Sequence, residues 1–247
     1  MSVLEVCLDD IDGAIAAERA GAARIELCAA LDDGGITPSL GTVAAVLASV
    51  TSLTVMVLIR QRGGDFVYSP AEVDAMVADI HAIRRLDRPD GVGLGFVIGA
   101  LTPSGVVDEE VTARLVAACG DHPITFHKAF DLSFDLGSEL ETLVSLGVAR
   151  VLTSGGATTA LEGAEALARL VAQSKGRIEI LAGGGVRAHN AREIMTRTGV
   201  TELHFRASHD VPSRGHQGGA SALYDSGTRT VTSEDLVRGM LAAVASR

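Results

Sequence analysis

Tryptophan is absent from this chain, and aromatic residues of every kind make up only 3% of it. A core without large rings must be aliphatic, and hydrophobic residues supply 47% of the sequence, with Val, Leu, Ile and Ala available to fill it. That favours parallel α/β layers, whose strands are buried on both faces. Cysteine is scarce as well. The three present, Cys7, Cys28 and Cys119, form no close pair, which argues against a disulfide scaffold or a zinc ribbon. Neither CxxC nor HExxH occurs. Positive charge is in deficit: 21 Lys and Arg stand against 31 Asp and Glu, a formal net charge of -10. Nonspecific nucleic-acid binding needs concentrated cations and is excluded on that ground, although a local anion site is not. No stretch of about 18 residues is both apolar and uncharged, so no membrane span is expected. The opening MSVLEVCLDD lacks a basic region followed by an apolar run. The expectation is a cytoplasmic protein with neither nucleic acid nor membrane as partner.

What is present is a repeated strand–loop–helix rhythm. Strands are expected over 3–8, 23–28, 54–60, 91–98, 124–128, 150–153, 177–182 and 201–206. Helices are expected over 11–20, 40–50, 70–86, 108–118, 136–146, 160–173, 189–198 and 234–245. Asp10 is a plausible cap for the first helix, and Ser69-Pro70-Ala71-Glu72 reads as a capping box with proline at the first helical position. Eight such units in 247 residues match a (β/α)8 TIM barrel, with no linker that would divide residues 1–247 into domains. A flexible stretch is expected over 207–230, and 209–229 reads equally as a cover for the barrel mouth or as a disordered loop.

Strand alternation sorts the polar residues. If Ile25 and Leu27 face the helices, then Glu26 and Cys28 point inward, as do Glu5 and Cys7, Arg60, Thr125 and His127, Glu179, His204 and Arg206. Charges inside a barrel must find partners, so mutual pairing among Glu5, Glu26, Arg60, His127 and His204 is expected. Two readings follow: an ion-pair plug that specifies the barrel, or a site at the C-terminal mouth. Cys7 and Cys28, near the ends of adjacent strands, would suit Cu(I), with His127 or His204 as a third ligand. The alternative is two inert small hydrophobes, and Cys119 reads as helix packing. Arg60 and Arg62 could hold an anion with two guanidinium groups, or Asp65 could lock Arg60 in a salt bridge. Gly155-Gly156 and Gly183-Gly184-Gly185 permit close backbone approach to an oxyanion, or simply make turns. His127 and Asp131 could move a proton between them, while Lys128 has the opposite strand parity. His81, His122 and His189 fall on or beside helices as surface or capping residues.

Several stretches together resemble the CutC copper-homeostasis family. They are Glu26-Leu27-Cys28 followed by Gly34-Gly35-Ile36-Thr37-Pro38-Ser39, Arg62-Gly63-Gly64-Asp65-Phe66, and Thr125-Phe126-His127-Lys128-Ala129-Phe130-Asp131. Arg150-Val151-Leu152-Thr153-Ser154-Gly155 and Gly183-Gly184-Gly185-Val186-Arg187 extend the match. The resemblance implies a cytoplasmic TIM-like barrel, a homodimer or higher homo-oligomer, and an association with copper. It also implies Cys28 as the leading thiol, and Arg60, Asp65, His127 and Asp131 as parts of the family's polar mouth. Two departures stand out. Gln61 lies where an Arg-Pro-Arg run is common, and His204-Phe205-Arg206-Ala207-Ser208 differs from the usual serine-containing strand end.

Three functions are compatible with these residues. The first is Cu(I) binding by Cys28, Cys7 and His204. The second is an enzyme acting on a small anionic metabolite, with His127, Asp131, Glu26 and Arg60 catalytic. In it, Arg60, Arg62, Gly155, Gly156, Gly183, Gly184, Gly185 and Arg206 would bind the anion. The third is a non-catalytic barrel presenting an oligomer surface.

Overall fold

The structure, a computed structural model, describes residues 3–215 and 225–245. Eight parallel strands close into a barrel: β1 (Val3–Leu8), β2 (Arg24–Leu27), β3 (Thr54–Leu58), β4 (Gly93–Ile98), β5 (Ile124–Phe126), β6 (Arg150–Thr153), β7 (Glu179–Ala182) and β8 (Glu202–Arg206). They pair in chain order, and β8 returns to β1. Around them lie α1 (Ile11–Ala20), α2 (Leu40–Ser49), α3 (Pro70–Ile83), α4 (Glu109–Cys119), α5 (Leu136–Ser145), α6 (Ala164–Ser174), α7 (Ala191–Thr198) and α8 (Glu234–Ala245). The arrangement is TIM-barrel-like, as the strand–helix rhythm leads one to expect. No helix among the described residues is long and apolar enough to cross a membrane.

Local chemistry explains the element ends. The Asp10 carboxylate accepts the Gly13 N–H and starts α1, and Gly21 stops it in the left-handed region at φ 99°. The capping box at Ser69 and Glu72 forms as expected. Two strands end sooner than alternation suggests. Beyond Leu58 the Arg60 backbone leaves the ladder: its N–H donates to Thr37 Oγ1 at 2.8 Å and its carbonyl accepts from Thr37 N. Beyond Phe126 the chain tightens into a 3-10 turn over Lys128–Leu132, capped by the His127 ring.

The main core lies between barrel and helices, where Ile25, Leu27, Val57, Phe96 and Phe126 are fully buried. Residues of the other parity fill the barrel interior, and at its mouth end Cys7, Cys28, Met56, Leu58 and Val97 pack together. Gly95 makes room there, because a Cβ would stand 2.5 Å from Met56 Sδ.

The stretch over 207–230, expected to be flexible, begins and ends in paired strands. β9 (Ser208–Pro212) and β10 (Thr228–Thr232) form an antiparallel ribbon. Thr232 Oγ1 donates to Asp10 Oδ2 at 2.8 Å, which ties the ribbon to the start of α1. Residues 216–224, where a mouth cover or a disordered loop was expected, lie outside the described residues.

Candidate functional site

The barrel interior is built in layers, beginning with charge. Register places Glu5 of β1 between Arg24 of β2 and His204 of β8. Arg24 Nε donates to Glu5 Oε2 at 2.5 Å, and its Nη2 reaches Glu202 on β8. Glu202 also receives Arg150 Nε of β6 at 2.5 Å. Burial alone would raise the Glu5 carboxyl. The hydrogen bond from His204 and the positive charges of Arg24 and Arg150 outweigh it and hold Glu5 at about 2. Glu179 takes no part, being exposed at the start of β7.

One layer toward the mouth, Cys7 is the register neighbour of Glu26 on β2. One ligating atom from each of Cys7, Glu26 and His204 lies within 4.8 Å of the others. His204 Nδ1 is 2.8 Å from Glu5 Oε1, and its Nε2 is 3.7 Å from Glu26 Oε2. A hydrogen bond from the Cys28 thiol lowers the Cys7 pKa well below the usual thiol value, aided by His204 and opposed by burial. The same bond pushes Cys28 well above it, and burial adds to the rise. Burial works against the His204 imidazolium, but its bonds to Cys7 and Glu5 keep its pKa well above the ordinary histidine value. Glu26 is raised by burial and by the Cys7 charge. Within the cluster the proton is thus drawn away from Cys7 and toward Cys28, Glu26 and His204.

Cys7, Glu26, Cys28 and His204 line a cavity of about 170 Å³, together with Arg60, His127 and Lys128. Arg60 reaches it from the end of β3, its Nη atoms bonded to the carbonyls of Gly34, Gly35 and Gly64 at 2.8–3.0 Å. Asp65 does not lock Arg60. It pairs with Arg62 at 3.1 Å, and Arg62 is also held by Glu72 at 2.6 Å. Arg62 thus has its own partners and does not line the cavity.

His127 and Asp131 do not form the expected proton-transfer pair. The His127 Nδ1 accepts from the Ala129 N–H at 3.2 Å. Burial, with the charge of Arg60, depresses the ring to about 3, so it is neutral and a poor base at physiological pH. Asp131 faces the loop after β6, where it takes Lys128 Nζ at 2.6 Å, Ser154 N at 3.0 Å and Gly156 N at 2.9 Å. Burial would raise this carboxyl, but Lys128 and the hydrogen bonds of the loop lower it overall. Asp131 therefore occupies the backbone nest in which Gly155 and Gly156 were expected to hold a foreign anion. The Gly155 N–H goes to Thr153 Oγ1. Gly183, Gly184 and Gly185 lie outside the cavity, with Gly183 N bonded to Thr153 O and the Gly184 carbonyl accepting from Ala160 N. Arg206 is a register neighbour of Cys7 but leans toward Asp32 at 3.7 Å and lines a separate cleft near α8.

The expected thiols and His204 do assemble, but Cys7 rather than Cys28 is the residue in contact with all the others, and Glu26 joins the possible metal ligands. Arg24, Arg150 and Glu202 were missed, although they share inward parity with Glu26, Leu152 and His204. Lys128 reaches the cavity because the 3-10 turn cancels its strand parity.

Comparison with known proteins identifies the family. The CutC family matches residues 2–209. A human protein described as a copper homeostasis protein cutC homolog is 47% identical over 205 residues, covering 83% of this chain and 73% of that one. A CutC family protein of Porphyromonas gingivalis is 41% identical over 241 residues, 95% of each chain. Among solved structures, the CutC protein of Streptococcus agalactiae superposes with a TM-score of 0.74 at 34% identity, covering 83% of this chain and 98% of that one. The chain belongs to the CutC family.

Proposed function

We propose that the barrel mouth binds Cu(I) as cargo, with Cys7 as its central ligand and Cys28 and His204 beside it. The observation that carries this reading is the meeting of the Cys7 sulfur, its pKa lowered, with the Cys28 thiol and the His204 imidazole in the lining of one cavity. Sulfur and imidazole donors suit Cu(I), whereas the Glu26 carboxyl is a harder donor. Relatives described as copper homeostasis proteins support the same assignment. Binding displaces the protons on Cys28 and His204, so uptake releases protons and weakens in acid. All three cysteines are free, and a reducing cytoplasm is the compartment in which such thiols persist.

Anaerobic Cu(I) competition titration of the reduced protein tests the proposal. Tight stoichiometric binding is expected in wild type, with affinity falling by more than about tenfold in Cys7→Ser and by a smaller factor in Cys28→Ser. Equal affinity in wild type and Cys7→Ser would sink it.

A further inference from the structure

Arg60 is only 6% exposed and permanently charged, yet its described contacts are the carbonyls of Gly34, Gly35 and Gly64, the Tyr68 hydroxyl and the Phe66 ring, with no carboxylate among them. Its Nε–H has no acceptor. Against the same Phe66 ring lies a second buried donor. His127 is 5% exposed, and because Nδ1 accepts from Ala129, the ring proton sits on Nε2, which also has no acceptor. Both side chains line the same cavity. The Tyr68 hydroxyl, on the loop after β3, is buried beside Arg60. Buried charges and donors are ordinarily satisfied. A cation with no counter-ion among the described residues, and an unused N–H in the same cavity, mark a place suited to an anion.

The geometry limits what that anion is. Arg60 Nε–H and His127 Nε2–H are two donors for the two oxygens of one planar group, while three of the four Arg60 Nη hydrogens are committed to the carbonyls of Gly34, Gly35 and Gly64. A phosphate would need more donors, and the backbone amides that commonly serve it, those of Ser154 and Gly156, are taken by Asp131. At about 170 Å³ the cavity is well below the roughly 300 Å³ at which pockets for drug-sized ligands begin. Leu31, Leu58 and Leu152 supply apolar wall.

We propose that this cavity binds a short-chain carboxylate, one oxygen on Arg60 Nε–H and the other on His127 Nε2–H, with its carbon chain against Leu31, Leu58 and Leu152. Phe66 covers the place: its ring lies 4.7 Å from Arg60 Cζ and 4.8 Å from the His127 ring centre. It is half-buried on the loop after β3, so it is the group that moves aside for the ligand. His127 acts here as a neutral donor, in keeping with its pKa of about 3. The assignment is independent of copper, since it uses neither thiol.

The test is calorimetric titration of reduced, metal-free protein with propionate, with the His127 ring resonances followed by NMR. Propionamide serves as the neutral isostere and inorganic phosphate as competitor. Saturable propionate binding is expected, with a shift of the His127 ring signals and no binding of propionamide. His127→Leu should weaken binding by about tenfold or more, as loss of a hydrogen bond to a charged group does. Arg60→Met should do the same, but Arg60 also ties three loop carbonyls, so His127→Leu is the deciding variant if Arg60→Met fails to fold. Phe66→Ala, which removes the cover, should bind at least as well as wild type. Three outcomes would overturn the proposal: propionamide binding as well as propionate, phosphate binding better, or no saturable binding in either wild type or Phe66→Ala.

Discussion

Cys7 is where the chemistry of the interior converges. It sits on β1 with Glu26 beside it on β2, and the Cys28 thiol and the His204 imidazolium both stabilise its thiolate. The thiolate, not the thiol, is the nucleophile, so alkylation reads its pKa directly. A lowered pKa means that Cys7 keeps its thiolate, and its reactivity toward iodoacetamide, to lower pH than an ordinary thiol does. His204→Asn removes the stabilising charge, so the pH profile of Cys7 alkylation should move upward, with the largest loss of rate on the acid side. Mass-spectrometric counting of alkylated Cys7 against pH measures this. An unchanged profile in His204→Asn would show that the imidazolium does not hold the thiolate. His127 makes the opposite case: burial and Arg60 keep it neutral, which suits a hydrogen-bond donor and not a base.

At the scale of elements, the loops at the strand ends decide what reaches the mouth. The turn at Lys128–Leu132 swings Lys128 toward the cavity and sends Asp131 into the loop after β6. The loop after β3 carries Arg60, Phe66 and Tyr68 and ends in the Ser69 cap of α3. That cap anchors the loop as well as the helix, because Glu72 returns to Ser69 N at 2.7 Å and also holds Arg62. Ser69→Ala should cost about 1 kcal/mol. In a chain of this length that lowers Tm by about 2–4 °C. Thermal unfolding followed by circular dichroism checks it, and no change in Tm would mean that the Glu72 half of the box suffices.

At the scale of the molecule, closure of the barrel and its buried ion pairs are one problem. The chain of contacts Glu5–Arg24–Glu202–Arg150 joins β1, β2, β8 and β6 across the interior, with Glu5 wholly buried. Removing one member strands the others. Arg24→Met leaves Glu5 and Glu202 short of a partner and should cost about 3–5 kcal/mol. The sign with pH follows from the two carboxyls. The folded pKa of Glu5 lies at about 2, below its reference of 4.5, and that of Glu202 is also lowered, because Arg24 and Arg150 overcome its burial. Their stabilisation is present above the ordinary carboxylate range and is lost as pH falls toward about 2. The deficit of Arg24→Met should accordingly be largest at neutral pH and shrink in acid. Urea denaturation at both pH values measures it; a deficit independent of pH would place the loss in packing.

Local pattern determined much of this protein. Periodicity marked eight strands and eight helices, and the caps at Asp10 and Ser69 followed from the side chains that form them. Alternation also named Glu5, Cys7, Glu26, Cys28, Arg60, His127 and His204 as inward. Which of them meet was decided by tertiary structure alone. Cys7 contacts Glu26 and His204 because β1 pairs with β2 on one side and β8 on the other, a register set by closure between residues about two hundred positions apart. His127 misses Asp131 because β5 stops at Phe126 and the next turn breaks the alternation. A period of two is written in neighbouring residues. Strand register and strand length arise from hydrogen bonds and packing with distant ones, and those set the partners of every buried charge.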